Sequence, residues 1–214
     1  MLSSDIIIGS DFGEVGCRLT RERIESVISF HGHYCVGLAI GIRVGEWAMR
    51  EFGYSEDEEL VAAVETDMCA VDAIQFLVGC TFGKGNLIFL DYGKNAYSFF
   101  RRSDGKNVRV SPRIEKSESG EIISGRLLAD LRDRQKEIDS DDKEGQEWIR
   151  GLMIDRVMRT DFDQMFLITP ARIPIPEKAR IHKSIPCSKC GELVMSTRLV
   201  RDKDGNYLCK ECSY

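Results

Sequence analysis

The sequence predicts an α+β protein, a mixed helix and sheet core carrying a small C-terminal zinc finger of treble-clef or ribbon type. Three observations lead there. Helical and strand periodicities succeed one another without regular βαβ alternation. Four of the five prolines, Pro170, Pro174, Pro176 and Pro186, crowd into TPARIPIPEKARIHKSIPC, a stretch that proline bars from a regular helix or a central strand. Beyond it lie two C-x2-C pairs. These observations place the core at residues 1–165, a proline-containing connection at 166–183 and the finger at 184–214.

Along the core, TRERIESVISF reads as a short amphipathic helix with Thr20 as its N-cap. A buried helix runs from Cys35 to about Phe52 and is closed by Gly53. Gly37, Gly41 and Gly45 share one of its faces. Each interior glycine costs about 1 kcal/mol against alanine, so three at period four predict another backbone packed close there. ELVAAVETD, NLIFLDYG, NAYSFFRR and QMFLITPAR read as strands, and AVDAIQFLVGC as a helix. The charged region after residue 125 reads as two exposed helices broken near Ser140.

Composition bounds the function. The 214 residues are 43% hydrophobic and 30% charged with a formal charge of −5, which opposes a chain-wide nucleic-acid surface. The start, MLSSDIIIGSDFGE, lacks the basic n-region and long apolar stretch of a signal peptide. The run CVGLAIGI stops at Arg43, short of the roughly 20 residues that span a bilayer. A cytoplasmic location with no membrane span is expected, and there the eight cysteines point to metal binding or reactivity rather than a disulfide framework.

The C-terminal spacing is the most specific motif. Cys187, Cys190, Cys209 and Cys212 form C-x2-C, eighteen residues, C-x2-C, the pattern of a structural Zn²⁺ held by four thiolates. DKDGNY supplies a turn between strands that pair as a hairpin. Two redox C-x-x-C pairs are the alternative, and so short a segment has little core without metal. From His182 to Tyr214 six Lys/Arg face four Asp/Glu. A zinc ion on four thiolates, with charge −2, cancels that surplus, so nucleic acid is not favoured and protein contact is.

In the core, FHGHYCVG concentrates His31, His33 and Cys35, with Cys35 where a helix dipole favours thiolate. Cys69, Asp72 and Cys80 fall near one face of the helix that follows. Cys69 and Cys80 would stand about 16 Å apart along it, so only one of them joins His31 or His33 and Cys35 at a single ion. Either cysteine alone is equally readable as a small buried hydrophobe. GCTFGKGN fails as a phosphate loop, having its glycines too close and no Ser/Thr after Lys84, although Lys84 and the turn's amides remain placed to meet an anion. Thiol exchange within the core ranks last, because no core C-x-x-C exists.

The segments HGH-x-C (His31, His33, Cys35), C-x-x-D-x-x-Q (Cys69, Asp72, Gln75) and GCT-x-GKGN (from Gly79 through Cys80 and Lys84 to Asn86) resemble the family of the E-type component of formylmethanofuran dehydrogenase. The resemblance implies an α+β core, commonly a homodimer that exchanges elements, and a zinc finger after it. The motifs themselves say nothing of a reaction; the catalytic candidates are His31, His33 and Cys35, and the cofactor-binding candidates Cys69, Asp72, Gln75, Cys80 and Lys84. Two functions compete. One is an accessory subunit or metal- and thiol-dependent enzyme of molybdenum or tungsten one-carbon redox metabolism, with a second metal or a pterin-type cofactor in the core and redox-enzyme subunits as partners. The other is a noncatalytic adaptor or regulator that dimerises through the glycine face and docks its finger on a protein. Whether the core is catalytic stays open at this level.

Overall fold

The computed structural model of the chain describes residue 12 and residues 15–116, 122–124 and 126–214. The isoleucine run near the start lies outside them. The chain divides into two compact units, Met1–Lys178 and Ala179–Tyr214, and the division falls inside the proline-containing stretch.

The first unit contains helices α1 (Arg21–His31), α2 (Val36–Phe52), α3 (Ala70–Val78), α4 (Arg126–Glu137), α5 (Lys143–Arg159) and the short α6 (Phe162–Met165). Its strands are β1 (Leu60–Val64), β2 (Leu87–Phe89), β3 (Tyr97–Arg101), β4 (Asn107–Pro112), β5 (Ile114–Lys116), β6 (Ile122–Ser124) and β7 (Phe166–Thr169). Five of these form one sheet in the order β2-β1-β3-β4-β7. β1 and β2 are parallel and joined through α3, while the remaining pairs are antiparallel. β5 and β6 make a separate hairpin.

β1 shows how the sheet is covered. Its five residues LVAAV are all buried, because alternate side chains meet different apolar layers. Leu60, Ala62 and Val64 join the main core with α2, α3 and α5. Val61 and Ala63 join Phe100 under Ala171, Ile173 and Ile175. The proline-containing stretch therefore lays part of itself on the sheet.

The glycine face of α2 is filled from within the chain. A Cβ at Gly41 would lie 2.5 Å from the Ala70 Cα, and one at Gly45 would lie 2.9 Å from Leu77 Cδ1 and 3.3 Å from the Ala73 carbonyl oxygen. The expected close backbone is α3, which occupies the face within the chain. A correction concerns α5. Its charge pattern predicts an exposed helix, but it buries Ile149, Met153, Ile154, Val157 and Met158, leaving its charged residues and Trp148 in solvent. Its carbonyl end is fixed by buried Arg43, which donates to the Met158 oxygen at 3.1 Å and the Thr160 oxygen at 2.8 Å.

Across the sheet Glu65 and Arg109 form a buried bidentate pair at 2.5 and 2.8 Å. The Arg109 guanidinium holds the Glu65 carboxyl below its ordinary range.

The second unit consists of hairpins β8 (Ser184–Pro186) with β9 (Leu193–Met195) and β10 (Val200–Arg201) with β11 (Tyr207–Leu208). Short 3₁₀ turns occur at Ser196–Arg198 and Glu211–Ser213. No helix among the described residues is long and apolar enough to cross a membrane.

Candidate metal centres

HGHYC is the corner between α1 and α2. Gly32, at φ 97°, caps α1 and its amide donates to the Ile28 oxygen at 2.7 Å. Only glycine enters that left-handed region without strain. Cys35 then caps α2, its Sγ accepting the Leu38 amide at 3.3 Å. Cys69 stands just before α3. Because Gly41 and Gly45 let α2 and α3 touch, the two helix starts carry their cysteines to the same place. A Cβ built on Gly37 would lie 3.8 Å from both the Cys35 and the Cys69 sulfur.

His31 completes the arrangement. Its Nδ1 meets Asp72 Oδ2 at 2.7 Å, and Gln75 Nε2 donates to Asp72 Oδ1 at 3.1 Å. A carboxylate only accepts, so Nδ1 carries the proton and Nε2 is the nitrogen left to bind a metal. Nε2 is buried and has no protein partner. The His33 ring lies 4.5 Å from that of His31. Donor atoms of His31, His33, Cys35 and Cys69 all fall within 4.8 Å of one another. C-x-x-D-x-x-Q thus has a physical reading: Cys69 supplies a donor, Asp72 aims His31, and Gln75 fixes Asp72, all from one side of α3. A carboxylate behind a ligating imidazole is the usual outer support of a metal site.

Burial and the adjacent Cys35 thiol push the Cys69 thiol above its ordinary value, whereas a dication between the sulfurs acts in the opposite sense. Cys35 and Cys69, far apart in sequence, are thus neighbours although the core has no C-x-x-C.

Cys80 and Lys84 do not join the cluster. Cys80 follows the far end of α3, where its buried Sγ donates to the Leu60 oxygen at 3.5 Å and burial raises its pKa to about 12. Lys84 Nζ donates to the Ser55 oxygen at 2.8 Å, which braces the turn. Asn86 locks the same turn. Its Nδ2 donates to Ser55 Oγ, the Asp57 oxygen and the Leu60 oxygen, and its Oδ1 accepts the Thr81 amide. GCTFGKGN is a structural corner.

Beside the cluster opens a cleft of about 560 Å³. Val64, Val71 and Leu87 form its apolar wall, and Phe82, Phe89 and Met68 stand at it as exposed large hydrophobics. His31, Cys69, Asp72 and Gln75 give it a polar end. The sequence offered little to flag Phe82 and Phe89, which are ordinary turn and strand residues until the sheet edge places them together.

In the second unit the four cysteines form a separate group with sulfurs within 4.8 Å of one another. Cys190 and Cys209 stand at 4.0 Å, close to the roughly 3.8 Å edge of a tetrahedron with 2.3 Å Zn–S bonds. Amides of Cys190 and Cys209 lower the Cys187 thiol to about 6, whereas the neighbouring sulfurs push the Cys190 thiol up and the Cys212 thiol up to about 12, so without an ion the four do not ionise together. All eight cysteines are free of disulfides. Gly205, at φ 87°, and Asp202, which accepts the Asp204 and Asn206 amides at 2.9 and 2.8 Å, shape the DKDGNY turn.

Comparison with known proteins agrees with this architecture. The chain is 36% identical over 195 residues to a probable S-adenosyl-L-methionine-binding protein of Archaeoglobus fulgidus, an alignment covering 86% of this chain and 50% of the relative. This chain thus spans about half the length of that protein. In fold it is similar to the crystal structure of a tungsten formylmethanofuran dehydrogenase FmdE-like protein from Syntrophus aciditrophicus. The TM-score is 0.57 at 24% identity, with 92% of this chain and 93% of the other covered. Residues 30–166, which include every core residue of the His/Cys cluster, match the profile described as FmdE, molybdenum formylmethanofuran dehydrogenase operon, and the chain belongs to the FmdE family.

Proposed function

We propose that the core holds a zinc centre built on His31, Cys35 and Cys69 with His33 as fourth ligand, and that the protein is a metal-dependent accessory of molybdenum or tungsten one-carbon redox chemistry. One observation carries the metal reading: His31 Nε2 is buried without a partner, while Asp72 fixes the opposite nitrogen and two thiols stand beside it. An orphaned buried nitrogen costs about 1–3 kcal/mol, and a metal ion is the partner that two sulfurs and two imidazoles together suit. His33 is solvent-exposed, which makes it the ligand that a substrate or partner group can displace. Zinc would then supply Lewis-acid polarisation at that position. The four C-terminal cysteines hold a separate structural zinc.

The link to one-carbon redox chemistry rests on family membership. The test is metal content. The full chain should carry two zinc ions, Cys35→Ser one and Cys187→Ser one. A single zinc in the full chain that persists in Cys35→Ser removes the core centre and leaves the noncatalytic adaptor.

A further inference from the structure

We propose that the cleft beside the core cluster binds an organic cation with a flat apolar body and discriminates against phosphate- and carboxylate-bearing compounds. The inference deepens the metal-centre reading by naming the class of ligand, and rests on it only for what that ligand meets at the inner end.

Charge carries it first. Two carboxylates, Asp67 and Asp72, line the cleft, and among the described residues no lysine or arginine does. Asp67 is exposed and Asp72 partly so, so their potential reaches a ligand in the opening instead of being cancelled within the wall. Loading the centre does not change the sign, since a dication on two thiolates and two neutral imidazoles sums to zero. Lys84, the cation the sequence places nearest, is committed to the Ser55 carbonyl. A phosphorylated pterin therefore meets like charge at both acids, with no lysine or arginine in the lining to offset it.

Shape carries it second. Phe82 is 77% and Phe89 45% exposed, and both line the cleft. Exposed phenyl rings at an acidic cleft form a platform on which a flat cation gains dispersion and cation–π attraction together. The volume of about 560 Å³ lies in the range of small-molecule sites. Gln75 and Asp72 meet a polar head at the inner end.

Three dyes that share one fluorophore and differ in charge test this on the full, metal-loaded chain: dansylcadaverine (positive), N,N-diethyldansylamide (neutral, with no sulfonamide N–H to ligate zinc) and dansylglycine (negative). Fluorescence titration should give affinity in that order, with at least about a tenfold gap between the first and last from two carboxylates at partly screened range. Asp67→Lys should narrow or reverse the gap, and Phe82→Ala should weaken all three. Circular dichroism and zinc content of both variants should match the parent protein. Equal or tighter binding of dansylglycine, insensitivity to both substitutions, or no binding of any dye overturns the proposal. Zinc assayed in the same samples keeps the two readings apart. Charge discrimination without core zinc leaves the cleft and removes the centre, whereas core zinc without discrimination does the reverse.

Discussion

Replacing Gly41 by alanine drives a methyl group into the backbone of α3. The new Cβ would stand 2.5 Å from the Ala70 Cα, 2.5 Å from its carbonyl oxygen and 2.8 Å from its carbonyl carbon, where carbon atoms pack at about 3.5–4.0 Å. Backbone has no rotamer to change, so α2 and α3 must separate by about 1 Å. Overpacking of this kind costs about 1–3 kcal/mol and a rigid obstacle sits at the top of that range. Alanine returns about 1 kcal/mol of helix propensity. The net loss is about 2 kcal/mol, a fall of about 4–8 °C in Tm for a chain this size. Gly45→Ala is the control. Its nearest obstacle is the flexible end of Leu77 at 2.9 Å, so stability should stay within about 1 kcal/mol of the parent. Because the two helix starts carry Cys35 and Cys69, Gly41→Ala should also loosen the core centre without touching a ligand. Urea unfolding followed by circular dichroism reads the stability, and chelator competition reads the metal. A Gly41→Ala protein as stable as the parent, or destabilised with unaltered core metal affinity, would refute the idea that α2–α3 contact sets the site.

Three other outcomes follow from the same geometry. Asp72→Asn should lower core zinc affinity by about 10–100-fold, as loss of an outer-shell carboxylate does, while zinc in the finger is retained; competition with a chromophoric chelator separates the two. Cys187→Ser should unfold Ala179–Tyr214 and leave the core intact, which appears in NMR spectra as collapse of amide dispersion confined to that unit. Glu65→Gln should cost about 3–5 kcal/mol at neutral pH by stranding Arg109 in the sheet. The Glu65 carboxyl has a folded pKa below its ordinary 4.5, so its pairing stabilises fully above that value and the contribution is lost as pH falls through the folded pKa. Acid unfolding curves of the Gln variant should therefore be flatter below about pH 4.5, and an unchanged acid limb would contradict the assigned pairing.

How far the site could be read from the chain depended on how local each feature is. Thr20, Gly32, Cys35 and Gly53 act on residues within a turn of themselves, so the limits of α1 and α2 are visible without the fold. β4 was not visible, because NVRVSP has exposed and intermediate positions and its strand character comes from pairing with β3 and β7. The family resemblance grouped Cys80 and Lys84 with the core cluster because linear motifs carry no distances. Nine residues of α3 put them at the other end of that helix.

The sequence by itself determined the four-sulfur cluster, whose two short knuckles and hairpin turn are local enough for spacing alone to bring the sulfurs together. It also determined that α2 must receive a close neighbour, since three glycines in register admit one. Only the tertiary structure decided that this neighbour is α3, and hence that His31 and Cys35 meet Cys69 and Asp72 from some forty residues away. Convergence of that kind is fixed by packing between elements, for which side-chain periodicity supplies a face but no partner.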